Sequence, residues 1–240
     1  MPADKLRVNL ITPNLAPDGV GYLLAALETE PLLTPSHASL DERKRVPYSP
    51  DSARQLAATR PVVLWRTTKP RYDGMLMTKR RANDGLKLNI EPAPNGDELA
   101  TLFEAVSRVV SRVPLEFGLV HAYFTSGPDV PDYNRGAHIK GQELDAGGLT
   151  NLHARTWFGP YVTQLIGKEL LLSLPNSLEL ASGVIQLDLA REPWAADFTT
   201  LSARQSEIRT SFESTGVLAK RGEKSSPRWV SPGWHALKQN

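Results

Sequence analysis

The segment VVLWRTTKPRYDGMLMTKRRANDGLKLNIE (62–91) decides the fold. It holds three runs with strand character, Val62–Thr68, Tyr72–Lys79 and Gly85–Glu91. The first two are joined around Lys69, Pro70 and Arg71, and the next pair around Asn83, Asp84 and Gly85. An Asn/Asp-Gly pair adopts the positive backbone angles that a tight hairpin needs, so the segment predicts an antiparallel meander. Directly afterwards Leu99, Leu102, Phe103, Val106, Val109, Val110 and Val113 recur every three or four residues. That spacing places them on one stripe of a helix, which starts after Pro94 and Asn95-Gly96-Asp97 and ends before Pro114. Such a stripe must be buried, and the meander is the neighbouring surface. The expected fold class is α+β: an antiparallel meander sheet with amphipathic helices packed across it.

Outward from this centre, Leu6–Thr12 predicts a first strand, and Val20, Leu23, Leu24 and Leu27 predict a short helix that Pro31 ends. Residues 28–49 read as a surface connection, and Ser49-Pro50 as the cap and first position of a helix over 50–59. Phe117–Phe124 (FGLVHAYF) predicts a central strand. Between it and a helix from Pro160 to about Leu172, residues 125–156 carry Gly127, Pro128, Pro131, Gly136, Gly141, Gly147 and Gly148, which interrupt every period. A connection this long inside a domain is either functional or hides short elements. Two strands, Ser177–Ala181 and Val184–Leu189, and a helix over Thr200–Thr215 complete a single domain of residues 1–219. Residues 220–240 form a basic, polar tail that contains Trp229 and Trp234.

Composition narrows the function classes. The chain has 240 residues, enough for a core without covalent staples. Its lack of cysteine excludes disulfides, thiolate catalysis and Cys-based metal sites. No stretch approaches eighteen consecutive apolar residues, so no membrane span is expected. Lys5 and Arg7 are followed by only VNLIT before Pro13, which is too short for an export signal, and a cytoplasmic location is expected. The net charge of +2 is too small to point to nucleic acid by itself.

Constellations with chemical potential are few. His138, Glu143 and Asp145 offer nitrogen and oxygen ligands and would support a metal-dependent hydrolase, but the Gly-rich setting fixes no ligand geometry. His121 shares one side of its strand with Leu119 and Tyr123, and reads as a hydrogen-bonded core histidine before it reads as a general base. Gly19-Val20-Gly21 lacks the third glycine of a dinucleotide loop, and neither a phosphate loop nor a nucleophile elbow is present. Arg66, Lys69, Arg71, Lys79, Arg80, Arg81 and Lys87 decorate the meander near Trp65 and Tyr72, which leaves a nucleic-acid-binding module as an alternative. Charges on an exposed sheet face also serve to keep sheets from pairing edge to edge. Aromatic residues in irregular backbone are the remaining signal: Tyr133 in the long loop, and Trp157, Phe158 and Tyr161 where it closes. Trp and Tyr dominate binding hot spots but also anchor loops to a core; Tyr133 fits either role, whereas Trp157 reads as a core residue.

The FGLVHAYF strand with its Gly118 and His121-Ala122-Tyr123, the long loop, TWFGPYVTQLIGKELL (156–171) and the strand around Ser182-Gly183-Val184-Ile185 follow one another in a distinctive order. Over residues 115–218 this order resembles immunity proteins of bacterial polymorphic-toxin and type VI secretion systems, the immunity protein 52 and type VI immunity group. The resemblance implies a non-enzymatic inhibitor, without cofactor or metal, that binds and neutralises a cognate secreted toxin. It transfers no catalytic residue. The partner-binding candidates are Asp129, Asp132, Tyr133, Arg135, Glu143 and Asp145 in the long loop, with Trp157 and Tyr161 supporting it from behind. An acidic patch beside an aromatic anchor suits a cationic partner through electrostatic steering.

Overall fold

The computed structural model describes residues 3–13, 19–58, 60–77, 85–125, 130–134, 137, 149, 151–213, 218, 220–221 and 229–230. In chain order the elements are β1 (Lys5–Ile11), α1 (Gly19–Glu28), β2 (His37–Ser39), β3 (Val46–Pro47), α2 (Pro50–Ala57), β4 (Val62–Arg66), β5 (Tyr72–Met77), β6 (Gly85–Ile90) and α3 (Gly96–Val110). They continue with β7 (Phe117–Tyr123), α4 (Val130–Tyr133), β8 (Arg155–Phe158), α5 (Pro160–Ile166), α6 (Lys168–Ser173), β9 (Ser177–Glu179), β10 (Ile185–Asp188), α7 (Phe198–Glu213), β11 (Lys220–Arg221) and β12 (Trp229–Val230). Ten strands form one open antiparallel sheet in the order β3-β2-β4-β5-β6-β1-β7-β8-β10-β9. The α+β class and the meander β4-β5-β6 are as the sequence predicts.

The first strand joins the two halves of the sheet. β1 pairs with β6 on one side and β7 on the other, so that Val8 faces Leu88 and Val120. Paired residues share a face, and the register therefore sorts the side chains into two layers. Leu6, Val8 and Leu10 lie level with Leu86, Leu88, Ile90, Leu76 and Leu64, all buried. Helix α3 lies on this face near Leu6 and Ala122, with its stripe from Leu99 to Val110 buried as expected. Glu30, buried just after α1, accepts hydrogen bonds from Arg108 (2.9 Å) and Arg112 (2.8 Å) of α3 and the turn that follows it. Burial opposes the Glu30 charge, but the two guanidinium groups prevail and hold its pKa below the usual carboxylate value.

On the opposite face the two halves differ. Over β7, β8 and β10 that face is covered: Phe158 meets Phe212 of α7, and Phe124 meets Phe198. Over β4, β5 and β6 this face is less buried, with Val63, Met75, Met77, Lys87 and Asn89 half-buried and Asp73 exposed, although Trp65 and Gly85 on it are buried. This half of the sheet is thus covered on one side only among the described residues.

Several expectations need correction. The supposed surface connection 28–49 contains the two short strands β2 and β3. Residues 125–156 contain α4 and run into β8, so Trp157 and Phe158 belong to a strand and do not open a helix. The helix after Pro160 is split into α5 and α6 at Gly167, whose φ of +101° no helix can continue through. In the segment expected as a tail, β11 and β12 pair into a small separate sheet, and the remainder lies outside the described residues.

β8 is buried along its whole length because both faces of the sheet are covered there. Its Arg155 donates to Asp188 of β10 through Nε (2.7 Å) and Nη2 (2.8 Å), and through Nη1 to Ser107 (2.8 Å) and Glu104 (3.2 Å) of α3. Phe103, Trp157 and Trp194 surround the guanidinium at 5.4, 6.0 and 5.6 Å. Burial works against the Arg155 charge, yet Asp188 and Glu104 outweigh it and raise its pKa. Two glycines let β8 settle into place. Gly118 faces Trp157, and a Cβ there would stand 3.2 Å from the indole ring. At Gly159 a Cβ would stand 1.8 Å from the Leu115 carbonyl oxygen.

Gly159→Ala should therefore lower stability by about 2–3 kcal/mol or more, read from the urea midpoint, because the obstacle is backbone and cannot turn aside. Arg155→Met alone should cost about 3–5 kcal/mol by leaving Asp188 buried without its partner. Adding Asp188→Leu should recover much of that loss. A double variant no more stable than the single one would refute this account of the pair.

Candidate functional site

Two regions of the second face concentrate polar chemistry: a buried histidine cluster between β7, α4 and the entry to β8, and the open surface beside it. The cluster starts from β7, where the strand alternation turns Leu119, His121 and Tyr123 to this face, as the sequence predicts. His121 is fully buried, its Nε2 lying 2.9 Å from Asn134 Oδ1 and its Nδ1 3.2 Å from His153 Nδ1. Asn134 Nδ2 donates to the Phe124 carbonyl (3.1 Å), which fixes the amide so that its oxygen faces His121. His121 Nε2–H is then the donor to Asn134, its Nδ1 is an acceptor, and His153 Nδ1–H donates to it. Burial pushes the His121 pKa down to about 4, with Asn134 partly opposing and the Arg7 charge adding to the fall. Burial and then His121 itself push His153 well below its usual value. Both rings are neutral near pH 7.

The cluster fastens both ends of the long loop. Tyr133 stacks on His121 at 4.7 Å and touches Phe124 and Phe198. Gln205 of α7 donates to the carbonyls of Tyr133 (3.2 Å) and Leu152 (2.6 Å), and Asn151 donates to that of Asp132 (3.1 Å). These bonds satisfy irregular backbone that would otherwise be buried without partners. Sequence reasoning missed Asn134, Asn151 and Gln205 as structural residues, since nothing local marks a polar side chain as interior.

The loop candidates fare unevenly. Asp132 is exposed on α4. Tyr133, expected as an aromatic anchor for a partner, is only 1% exposed and belongs to the core instead. Its ring packs among His121, Phe124 and Phe198, which offer it more apolar contact than solvent does. Asp129, Arg135, Glu143 and Asp145 lie outside the described residues, as does His138 of the metal reading. Among the described residues no group of three or more His, Asp or Glu side chains is placed to hold a metal ion. Trp157 does not support the loop from behind. It faces Gln186 on the opposite layer and donates to its Oε1 (3.0 Å).

The basic cluster of the meander does not form one patch. Arg66 lies on the helix-covered face and donates to the Thr34 carbonyl (2.9 Å), whereas Lys87 lies on the open face. Lys69 and Arg71 belong to the turn between β4 and β5, and Lys79, Arg80 and Arg81 lie outside the described residues. The open face carries a polar row set by register instead: Trp65, Asp73, Asn89 and Arg7 stand side by side across β4, β5, β6 and β1, and Arg7 adjoins His121. Asn89 Nδ2 donates to Asp73 (2.8 Å), while Arg7 Nη2 donates to Asn89 Oδ1. A cavity of about 410 Å³ lies over this row, bordered also by Glu42, Met75 and Lys87. None of the described helices is long and apolar enough to cross a membrane.

The histidine pair makes a prediction for pH. An exposed histidine takes a proton below about pH 6.5, so the unfolded chain binds more protons than the fold as pH falls. Stability is fully present above about pH 6.5 and declines toward about pH 4, where His121 titrates in the fold. For His121 alone the loss is on the order of 3 kcal/mol. Urea midpoints of the wild type and of His153→Gln, compared between pH 7.5 and 4.5, should show a shallower decline in the variant. Parallel declines would remove the histidine pair from the explanation.

No protein-family model matches the chain, and no curated protein matches it. Among solved structures, the Pseudomonas aeruginosa T6SS protein PA0821 is similar in fold, with a TM-score of 0.56 and 13% identity, over 98% of this chain and 81% of that one.

Proposed function

We propose that the chain is a non-enzymatic binding protein of a type VI secretion setting, which neutralises a cognate secreted toxin inside the cell that carries it. The observation that carries this reading is the fold likeness to a T6SS protein along 98% of the chain. The position of the motif residues supports it. Gly118, His121, Trp157 and Phe158, on which the resemblance to immunity proteins rests, are all interior. They specify a scaffold and leave the surface free to vary with the partner, as expected where one fold serves many different partners. Occlusion of a toxin requires a shaped surface and no turnover. The loop bearing Asp129, Asp132, Arg135, Glu143 and Asp145 supplies part of that surface in this reading, joined by the open sheet face.

The test is co-expression with the product of the adjacent gene, read as cell growth, followed by isolation of a stoichiometric complex. Protection by the wild-type chain is the expected result. Joint alanine substitution of Asp129, Asp132 and Glu143 should leave the melting temperature within a few degrees and weaken protection. A turnover activity in the pure polypeptide that disappears with one histidine or carboxylate, or a stoichiometric bound metal in elemental analysis, would overturn the reading in favour of an enzyme.

A further inference from the structure

The open half of the sheet contains a charge that, among the described residues, forms no ion pair. Arg7 sits on the central strand, and its guanidinium is already oriented: Nη2 donates to Asn89 Oδ1, and the group lies 5.9 Å from the Tyr123 ring centre. Its Nε is buried with no hydrogen-bond partner. Among the described residues no carboxylate stands within ion-pair distance of it. Asp73 is the near candidate, but Asn89 stands between the two and takes one with each end of its amide. Burial lowers the Arg7 pKa, with Tyr123 and Asp73 opposing. A half-buried guanidinium costs free energy until an acceptor arrives; its Nε is sealed from solvent, so an incoming carboxylate meets the outer Nη N–H groups, which fit it with two parallel bonds.

We propose that this open face seats an acidic segment of a partner protein, with one Asp or Glu carboxylate of that segment received by Arg7. The surroundings match such an occupant. Trp65 is a largely buried aromatic floor capped by Arg45 at 5.8 Å, and Lys5 lies 5.3 Å from the Tyr123 ring centre. Aromatic and arginine side chains at the centre of a desolvated depression are the usual anchors of protein interfaces. Asp73 and Glu42 border the same cavity as Arg7 and Lys87. A nucleic-acid strand, negative along its length, would bring phosphates against those two carboxylates. A protein segment can place its own cation opposite them and its carboxylate opposite Arg7. This surface deepens the toxin-neutralising reading and takes the partner's identity from it.

The experiment uses the full chain labelled with nitrogen-15, observing the side-chain Nε–H of arginine and the indole N–H of tryptophan. A capped peptide of alternating glutamate and lysine should shift the Arg7 Nε–H and Trp65 signals saturably, and its counterpart with glutamine in place of glutamate should not. Arg7→Gln should abolish the response, and Arg7→Lys, which keeps the charge but loses the fork, should weaken it by roughly tenfold. Unchanged Arg7 signals at millimolar peptide, an equal response to the glutamine peptide, or a stronger response to single-stranded DNA would each overturn the proposal. The growth assay separates the two ideas. If the wild type protects and a folded Arg7→Gln variant protects equally, this surface is wrong and the toxin reading stands. If the wild type protects against nothing while the peptide response holds, the toxin reading falls and the site remains.

Discussion

The ion pair of Arg155 with Asp188 is the interaction on which the rest of the architecture depends. It lies where three things must coincide: the pairing of β8 with β10, the docking of α3 on the sheet, and the closure of the segment around Trp194. A guanidinium at 3% exposure is tolerable only because its three nitrogens find Asp188, Glu104, Ser107 and the Phe103 carbonyl at once. The bidentate geometry fixes the register of β8 against β10, since a slip by one residue would turn Arg155 toward the histidine side. Apolar contact alone would tolerate neighbouring registers; this pair does not.

The two faces of the sheet follow from that placement. Once β8 is locked, its other face must be covered, and α7 with the ends of the long loop supply the cover. Polar side chains then have to satisfy one another inside: Asn134, His121 and His153 form a directional chain, and Gln205 bonds two carbonyls of otherwise irregular backbone. The meander half needs no second cover, because its strands alternate. Among the described residues the sheet is therefore covered on both faces at one end and on one face at the other, and Arg7 stands on the boundary between them.

Much of the architecture was legible in sequence where periodicity was clean. The meander, the stripe of α3 and the strand from Phe117 to Tyr123 are periodic segments whose neighbours in space are also neighbours in sequence. The strand β8 was not legible, because Arg155 and Thr156 are polar residues made interior by partners more than thirty positions away, Asp188 for the first and Leu119 and Leu187 beside the second. β2 and β3 are too short for any period to show, and exist because β4 offers an edge to β2. Tyr133 was read as a surface aromatic for a similar reason. Nothing beside it in the chain announces His121 and Phe198 in contact with its ring.

Alone, the sequence determined the α+β class, the meander, the buried helix stripe and the absence of thiol chemistry, since these depend on local period and composition. Only the tertiary structure decided that the first strand lies at the sheet's centre, that two histidines share one proton chain, and that Arg7 keeps an unused donor on an uncovered face. Each of these is a relation between residues distant in the chain. Hydrogen-bond partners and burial are properties of three-dimensional neighbours, and a sequence specifies those neighbours without displaying them.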